Sequence, residues 1–129
     1  MSQAQTISLT APAAPSSVAV MRTVAASVAA RLDVPYDTID DLRIAVAEAC
    51  NRLLNASRTA RELRLDVRLE PAALTASVSI PAPPDGTTPD REGSLEWRII
   101  EGLTDRSEEK VENGRLTIVL QIRLAPAPR

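Results

Sequence analysis

The sequence predicts an α+β fold, a two-layer α/β sandwich with helices on one face of a mostly antiparallel sheet. Its apolar residues alternate between a period of two and a period near 3.6, which gives the order β-α-α-β-β-α-β-β. Each predicted strand has one apolar and one polar face, and each predicted helix has one apolar stripe. Elements of this kind bury their apolar sides most simply by packing as two layers.

The first elements are a strand and a helix. Residues 5–10 alternate apolar and polar side chains, which predicts a short edge strand. After a Pro-containing link at residues 11–15, we expect Ser16 or Ser17 to cap a helix whose apolar face continues to Leu32. The Asp-Val-Pro sequence that follows ends this helix, because a residue before proline avoids the α conformation.

The central helix, residues 37–57, has the strongest pattern in the chain. Apolar residues recur at intervals of three and four, at Ile39, Leu42, Val46, Ala49 and Leu53. Asp37 is the expected N-cap. Glu48 lies beside the apolar stripe and has two interpretations, a boundary carboxylate that reaches water or a carboxylate that lines a pocket over the helix. The helical pattern alone does not choose between them.

The second half of the chain predicts two hairpins separated by a loop and a helix. Residues 62–70 and 74–80 alternate strictly and should pair through the turn between them. Residues 81–93 form a Pro-rich loop that is long for a connection. The remaining predicted elements are a helix capped by Ser94, a charged strand at residues 106–112, an Asn113-Gly114 turn and a strand at residues 115–124.

Length and composition fit one globular domain. The chain has 129 residues, of which 44% are hydrophobic and 25% charged. We expect one domain over residues 1–129, with flexible tails at about 1–4 and 125–129. Aromatic residues make up only 2% of the chain, so its core is built from aliphatic side chains. Trp97 is expected to be a partly buried anchor rather than a ligand contact.

Composition also excludes several classes of function. The chain has no His, which excludes Ser-His-Asp triads and His-ligated metal sites. A net charge of −2 and the scarcity of aromatic residues argue against direct nucleic-acid binding. Cys50 is the single cysteine, expected to be a buried hydrophobe. We see no signal peptide and no membrane span, so a cytoplasmic location is expected.

Two segments carry a family resemblance. Residues 41–50 read Asp-Leu-Arg-Ile-Ala-Val-Ala-Glu-Ala-Cys, and residues 93–105 read Gly-Ser-Leu-Glu-Trp-Arg-Ile-Ile-Glu-Gly-Leu-Thr-Asp. Together with the order of elements, they resemble the RsbW-type anti-sigma factor serine kinases of the GHKL ATPase superfamily, most closely its divergent actinobacterial members. The resemblance extends from about residue 8 to residue 124, and implies the Bergerat fold and a single GHKL-like anti-sigma factor domain.

The motifs of that family are only partly present. Glu48 matches the Glu of the Glu-x-x-x-Asn motif, which the resemblance implies is a base, but Arg52 stands where the Mg²⁺-holding Asn belongs. Arginine has no lone pair to give to a metal. Of the glycine motifs that contact nucleotide, the chain keeps only Asp85-Gly86 and Gly93 as weak remnants. These departures predict a degenerate ATP site with no cofactor and no metal, in which Glu48 is a vestigial base.

The resemblance implies an anti-sigma factor that sequesters an alternative sigma factor and is released by an anti-anti-sigma partner with a STAS domain. Arg22 falls in the matching part of the first helix and is either a partner contact or a solvated surface arginine. We expect Arg22 to matter more for sigma binding than Glu48.

The alternative is an active ATP-dependent serine kinase that phosphorylates the STAS partner, with Glu48 as base, Asp85 contacting adenine, and ATP and Mg²⁺ as cofactors. A third hypothesis is a GHKL-like interaction domain with a different partner. The Arg-rich outer strand faces leave a homodimer open.

Overall fold

The structure is a computed structural model that describes residues 5–86 and 88–124. The predicted order of elements and the two-layer architecture are confirmed. In chain order the elements are β1 (Gln5–Pro12), α1 (Pro15–Ala29), α2 (Tyr36–Ala56), β2 (Glu62–Leu69), β3 (Ala73–Pro81), α3 (Leu95–Leu103), β4 (Arg106–Glu112) and β5 (Arg115–Arg123). The predicted tails, residues 1–4 and 125–129, lie outside the described residues, as does Thr87.

The strands form one five-stranded sheet in the order β1-β2-β3-β5-β4, and every pair is antiparallel. β1 is an edge strand, as its length and polarity predict. Both predicted hairpins are present, β2 with β3 and β4 with β5. Between β4 and β5, Asn113 has φ 54° and Gly114 has φ 76°, which are the positive values that a tight two-residue hairpin turn requires.

All three helices lie on one face of this sheet, with α2 packed against both α1 and α3 and over β3 and β5. The outer face of the sheet is polar, which is how an antiparallel sheet meets water. The predicted core is confirmed, except that Ile39 is only partly buried at its edge. The buried side chains between the layers include Leu42, Val46, Ala49, Cys50, Leu53, Leu63, Leu65, Val67, Val78 and Leu120.

The start of α1 differs from the prediction. The helix begins at Pro15 after Ala14, without a side-chain cap, so neither Ser16 nor Ser17 is its N-cap. Proline suits the first helical position because its fixed φ is helical and its missing N–H would have no partner there. The helix ends at Ala29, and the chain turns through residues 30–32 before the second helix.

Two other boundaries also shift. β1 extends through Pro12, which pairs with Glu62; an edge strand tolerates a proline because one side of it needs no ladder hydrogen bonds. α2 begins at Tyr36 after Pro35, so Asp37 is not the N-cap but lies in the first turn, where it still faces the positive end of the helix dipole. No helix within the described part of the chain is long and apolar enough to cross a membrane.

Candidate functional site

The burial of Arg52 and its pairing inside the protein are features that the sequence pattern did not predict. Arg52 lies on α2 among the apolar residues of the core and is only 2% exposed. Its Nε donates to Glu109 Oε2 at 2.7 Å, and its Nη2 donates to Glu109 Oε1 at 3.1 Å. This bidentate pairing matches the planar fork of the guanidinium to both carboxylate oxygens, so the charge of each partner is neutralised inside the protein.

The same guanidinium reaches two further segments. Nη1 donates to Ser94 Oγ at 3.1 Å, and Nη2 donates to the Pro89 carbonyl at 3.0 Å. Ser94 Oγ in turn accepts from the Trp97 amide at 3.1 Å and thereby caps α3, as the sequence predicts. We call Arg52, Glu109, Pro89, Ser94 and Trp97 the Arg52 cluster. Among the described residues, no buried side-chain nitrogen or oxygen lacks a hydrogen-bond partner.

Strand register explains why a carboxylate points inward at this place. In β4, Glu109 pairs with Ile118 of β5, whose side chain faces the helices. Because side chains alternate along a strand, Glu109 faces the helix layer while Glu108 and Lys110 face the outer side. Its side chain is 5% exposed. A buried carboxylate on an edge strand needs a cation, and Arg52 supplies it.

Trp97 packs against the guanidinium groups of Arg52 and Arg91. Its indole is buried, and the guanidinium carbons of Arg52 and Arg91 each lie 5.3 Å from the ring centre. Cations at this distance are attracted by the ring quadrupole. Arg91 belongs to the segment before α3, so Trp97 joins that segment to the core. The predicted role of Trp97 as an anchor agrees with this position.

A groove runs between α1 and α2 on the outer side of the helix layer. It encloses about 450 Å³ and is lined by Arg22, Asp40, Arg43, Ile44, Ala47 and Glu48. A second concavity of about 380 Å³ adjoins it, because Arg22, Asp40 and Arg43 line both. The structure therefore brings Arg22 and Glu48 into one groove, which spacing along the sequence did not indicate. Their assigned roles remain predictions.

Glu48 occupies an electrostatically unfavourable position in this groove. Partial burial raises the pKa of its carboxyl, and the negative charge of Glu96 on α3 raises it further. Glu96 also accepts a long hydrogen bond, 3.5 Å, from Asn55 of α2. Glu48 thus lies between the groove and the beginning of α3. Because its pKa is raised, its carboxyl retains a proton more readily than an exposed glutamate does.

The two glycines of the motif remnants lie in turns and adopt positive φ values. Gly86 has φ 73° and its amide donates to the Pro83 carbonyl at 3.0 Å. Gly93 has φ 76° inside the turn in which the Ser94 amide donates to the Arg91 carbonyl at 3.1 Å. Turn geometry accounts for both glycines. The residues that line the groove with Glu48 include none from the segment 81–93, so the structure does not join Asp85, Gly86 or Gly93 to Glu48 there.

Metal ligands are also not assembled in the described part of the chain. No group of three or more His, Cys, Asp or Glu side chains is placed to hold an ion there. Cys50 is buried, and burial raises the pKa of its thiol to about 12, which keeps it an unreactive core residue.

Comparison with known proteins places the chain in a family. Residues 11–122 match the model of the histidine kinase-like ATPase domain. The Anti-sigma-F factor RsbW of Mycobacterium tuberculosis is 31% identical over 90 residues, which are 68% of this chain and 51% of that protein. The Serine-protein kinase RsbW of Halalkalibacterium halodurans is 43% identical over 53 residues, 41% of this chain and 33% of that protein. The matched residues thus span about half of the first relative and a third of the second.

A solved structure supports the fold. The crystal structure of the RsbU and RsbW domains of a Mycobacterium tuberculosis protein aligns with a TM-score of 0.73 at 16% identity, over 97% of this chain and 34% of that one. The fold, the family match and the sequence relatives agree with one another. This chain therefore belongs to the histidine kinase-like ATPase domain family, as a member of the RsbW type.

Proposed function

We propose that this protein is an anti-sigma factor that sequesters an alternative sigma factor, is released by an anti-anti-sigma partner with a STAS domain, and does not use nucleotide as its switch. Its RsbW-type relatives support the first two parts. The single observation that supports the third is the Arg52 cluster, in which a buried arginine stands at the position of the expected Mg²⁺ ligand and is already paired with Glu109.

Magnesium–nucleotide fits these residues poorly. The family resemblance puts the metal-binding Asn at position 52, and arginine offers N–H donors but no lone pair. Three nitrogens of the Arg52 guanidinium are already used by Glu109, Ser94 and Pro89. A second cation would have to displace this guanidinium, and the freed Glu109 would then remain buried and unpaired unless the cation bound it. We assign no step to a nucleotide.

The groove between α1 and α2 has the composition of a protein-binding surface. Arg22 and Arg43 offer cations to an acidic partner, and such charge-assisted hydrogen bonds favour guanidinium groups. Ile44 at 47% exposure and Tyr36 at 76% exposure add apolar surface beside them. A polar rim around exposed apolar anchors is typical of interfaces. We propose this groove, with Arg22 in it, as the docking site of the sigma factor.

The test begins with identification of the partner. The chain is used to capture proteins from its native cell without nucleotide, mass spectrometry identifies any sigma factor, and the purified pair is then run on size-exclusion chromatography. Arg22→Ala should weaken co-elution. Arg68→Ala, on the outer sheet face and paired with Glu70, is the matched control and should not. A complex that forms only with Mg²⁺–ATP would reject the proposal.

A second candidate is an ATP-dependent serine kinase acting on the STAS partner. It is favoured by the position of Glu48, which matches the base of the family motif and has a raised pKa. Under this reading Asp85 contacts adenine and the groove end near Glu48 receives the hydroxyl of the acceptor serine. Transfer of radiolabelled phosphate from Mg²⁺–ATP to the STAS partner, lost in Glu48→Gln, would establish this function. If the STAS partner acquires no label at saturating ATP, this function is excluded.

A further inference from the structure

Arg52 connects parts of the chain that are otherwise far apart in sequence. Through one side chain, α2 is joined to β4 by Glu109, to the N-cap of α3 by Ser94, and to the preceding segment by the Pro89 carbonyl. The donor is 3% exposed at its side chain, so these hydrogen bonds are shielded from water. One buried side chain therefore contacts three separate parts of the chain.

The segment of residues 89–94 is joined to α2 through this side chain. Its own hydrogen bonds are short-range and near the surface: the Glu92 amide donates to Asp90 Oδ1 at 3.0 Å, and the Ser94 amide donates to the Arg91 carbonyl at 3.1 Å. Its contacts to the rest of the structure include the Arg52 bonds to Pro89 and Ser94, the bonds of Ser94 to the first turn of α3, and Arg91 over the Trp97 ring. Of these, the Arg52 bonds reach across to α2, and their donor side chain is almost wholly buried.

We propose that Arg52 is a positioning residue, an internal cation that holds residues 89–94 against α3 and β4, so that the position of this segment does not depend on a bound nucleotide. This goes beyond the proposed function, whose third part states only that nucleotide is not the switch. The assignment concerns the mechanics of this segment, and it stands whichever partner the groove binds.

Hydrogen exchange of the full chain, followed by mass spectrometry, tests the assignment at the amides of residues 90–94. Removing Arg52 alone leaves Glu109 buried without a partner and can unfold the protein. The decisive variant is therefore Arg52→Leu with Glu109→Leu, which removes both charges and leaves an apolar pair in their place. Arg98→Leu, at an exposed arginine on α3, is the control for loss of an arginine.

Exchange at residues 90–94 should become roughly tenfold faster in the double variant, since a segment exchanges faster when its anchoring bonds are lost, while peptides from β3 and β5 keep their protection. The control should match the wild type throughout. In the wild type, millimolar Mg²⁺–ATP should leave exchange at residues 90–94 unchanged. Wild-type exchange in the double variant, or slower exchange of the wild type with Mg²⁺–ATP, would overturn the assignment.

Discussion

Arg52 and Glu109, 57 residues apart in the chain, form a bidentate ion pair whose Nε–Oε2 distance is 2.7 Å, with both side chains almost wholly buried. Two such charges lose much of their hydration on folding, so the net stabilisation by the pair is small. What the pair provides is a defined geometry, because a guanidinium shared by Glu109, Ser94 and Pro89 admits one arrangement of α2, α3 and β4.

Breaking this pair on one side should destabilise the fold strongly. Arg52→Ala leaves the Glu109 carboxylate buried and unpaired, and the expected loss is about 3–5 kcal/mol in the free energy of unfolding. The double replacement by leucine should recover most of that loss. Urea denaturation of the two variants measures both values, and a single-variant loss below about 1 kcal/mol would mean that water reaches the site.

Core packing gives a second prediction at Leu42. This residue of α2 is 1% exposed, and Leu42→Ala should cost roughly 2–5 kcal/mol by removing buried surface and leaving a cavity. Ile44, two residues away and 47% exposed, is the matched control; Ile44→Ala should change stability by about 0.5 kcal/mol or less. Equal losses in the two variants would contradict the observed orientation of α2.

The raised pKa of Glu48 makes a prediction about pH. Because burial and Glu96 raise its folded pKa above the ordinary value, the folded state binds more protons than the unfolded state between the two values. The contribution of Glu48 to stability therefore falls as pH rises through that window. Glu48→Gln should remove this decline, so the variant gains stability relative to wild type as pH rises. Denaturation curves from about pH 4 to pH 7 measure it; a relative loss with rising pH would contradict the assigned environment.

Nucleotide should not stabilise the folded protein. A ligand that binds the native state raises the melting temperature, by an amount that grows with the ratio of its concentration to its dissociation constant. With Arg52 at the expected magnesium position, millimolar Mg²⁺–ATP should leave the melting temperature unchanged. A clear, concentration-dependent rise, larger with Mg²⁺–ATP than with Mg²⁺ alone, would favour the kinase reading.

The spacing of apolar residues predicted the helix layer and the sheet layer correctly, because burial of one side of each element imposes that spacing. The alternation in β2, β3 and β5 and the stripe on α2 reflect which side of each element is removed from water, and that property is local in sequence. The ends of α1 and α2 were less predictable. In α1, Pro15 takes the first helical position after Ala14, and in α2, Pro35 is itself the N-cap, so the expected Ser and Asp caps are not used. Proline, serine and aspartate all suit a helix start, and the preceding chain decides which of them is placed there.

The site could be predicted only in part. Arg52 is visible in the sequence as a departure from a family motif. Its burial, however, depends on Glu109, which strand pairing brings to it from 57 residues later in the chain. The sequence gives little indication that Glu109 points inward, because it lies in a run of charged residues of the kind usually exposed to water. The shared groove of Arg22 and Glu48 depends on how α1 packs on α2, which residue spacing within either helix does not reveal.

Titration calorimetry of the chain against its captured sigma factor, with and without Mg²⁺–ATP, tests the central claim most directly. We predict equal affinity in both conditions, and a loss of about 1–3 kcal/mol in Arg22→Ala if Arg22 makes a charge-assisted hydrogen bond in the complex. Arg68→Ala should bind like the wild type. An affinity that requires Mg²⁺–ATP, or that falls in Glu48→Gln and not in Arg22→Ala, would contradict the account and favour the kinase.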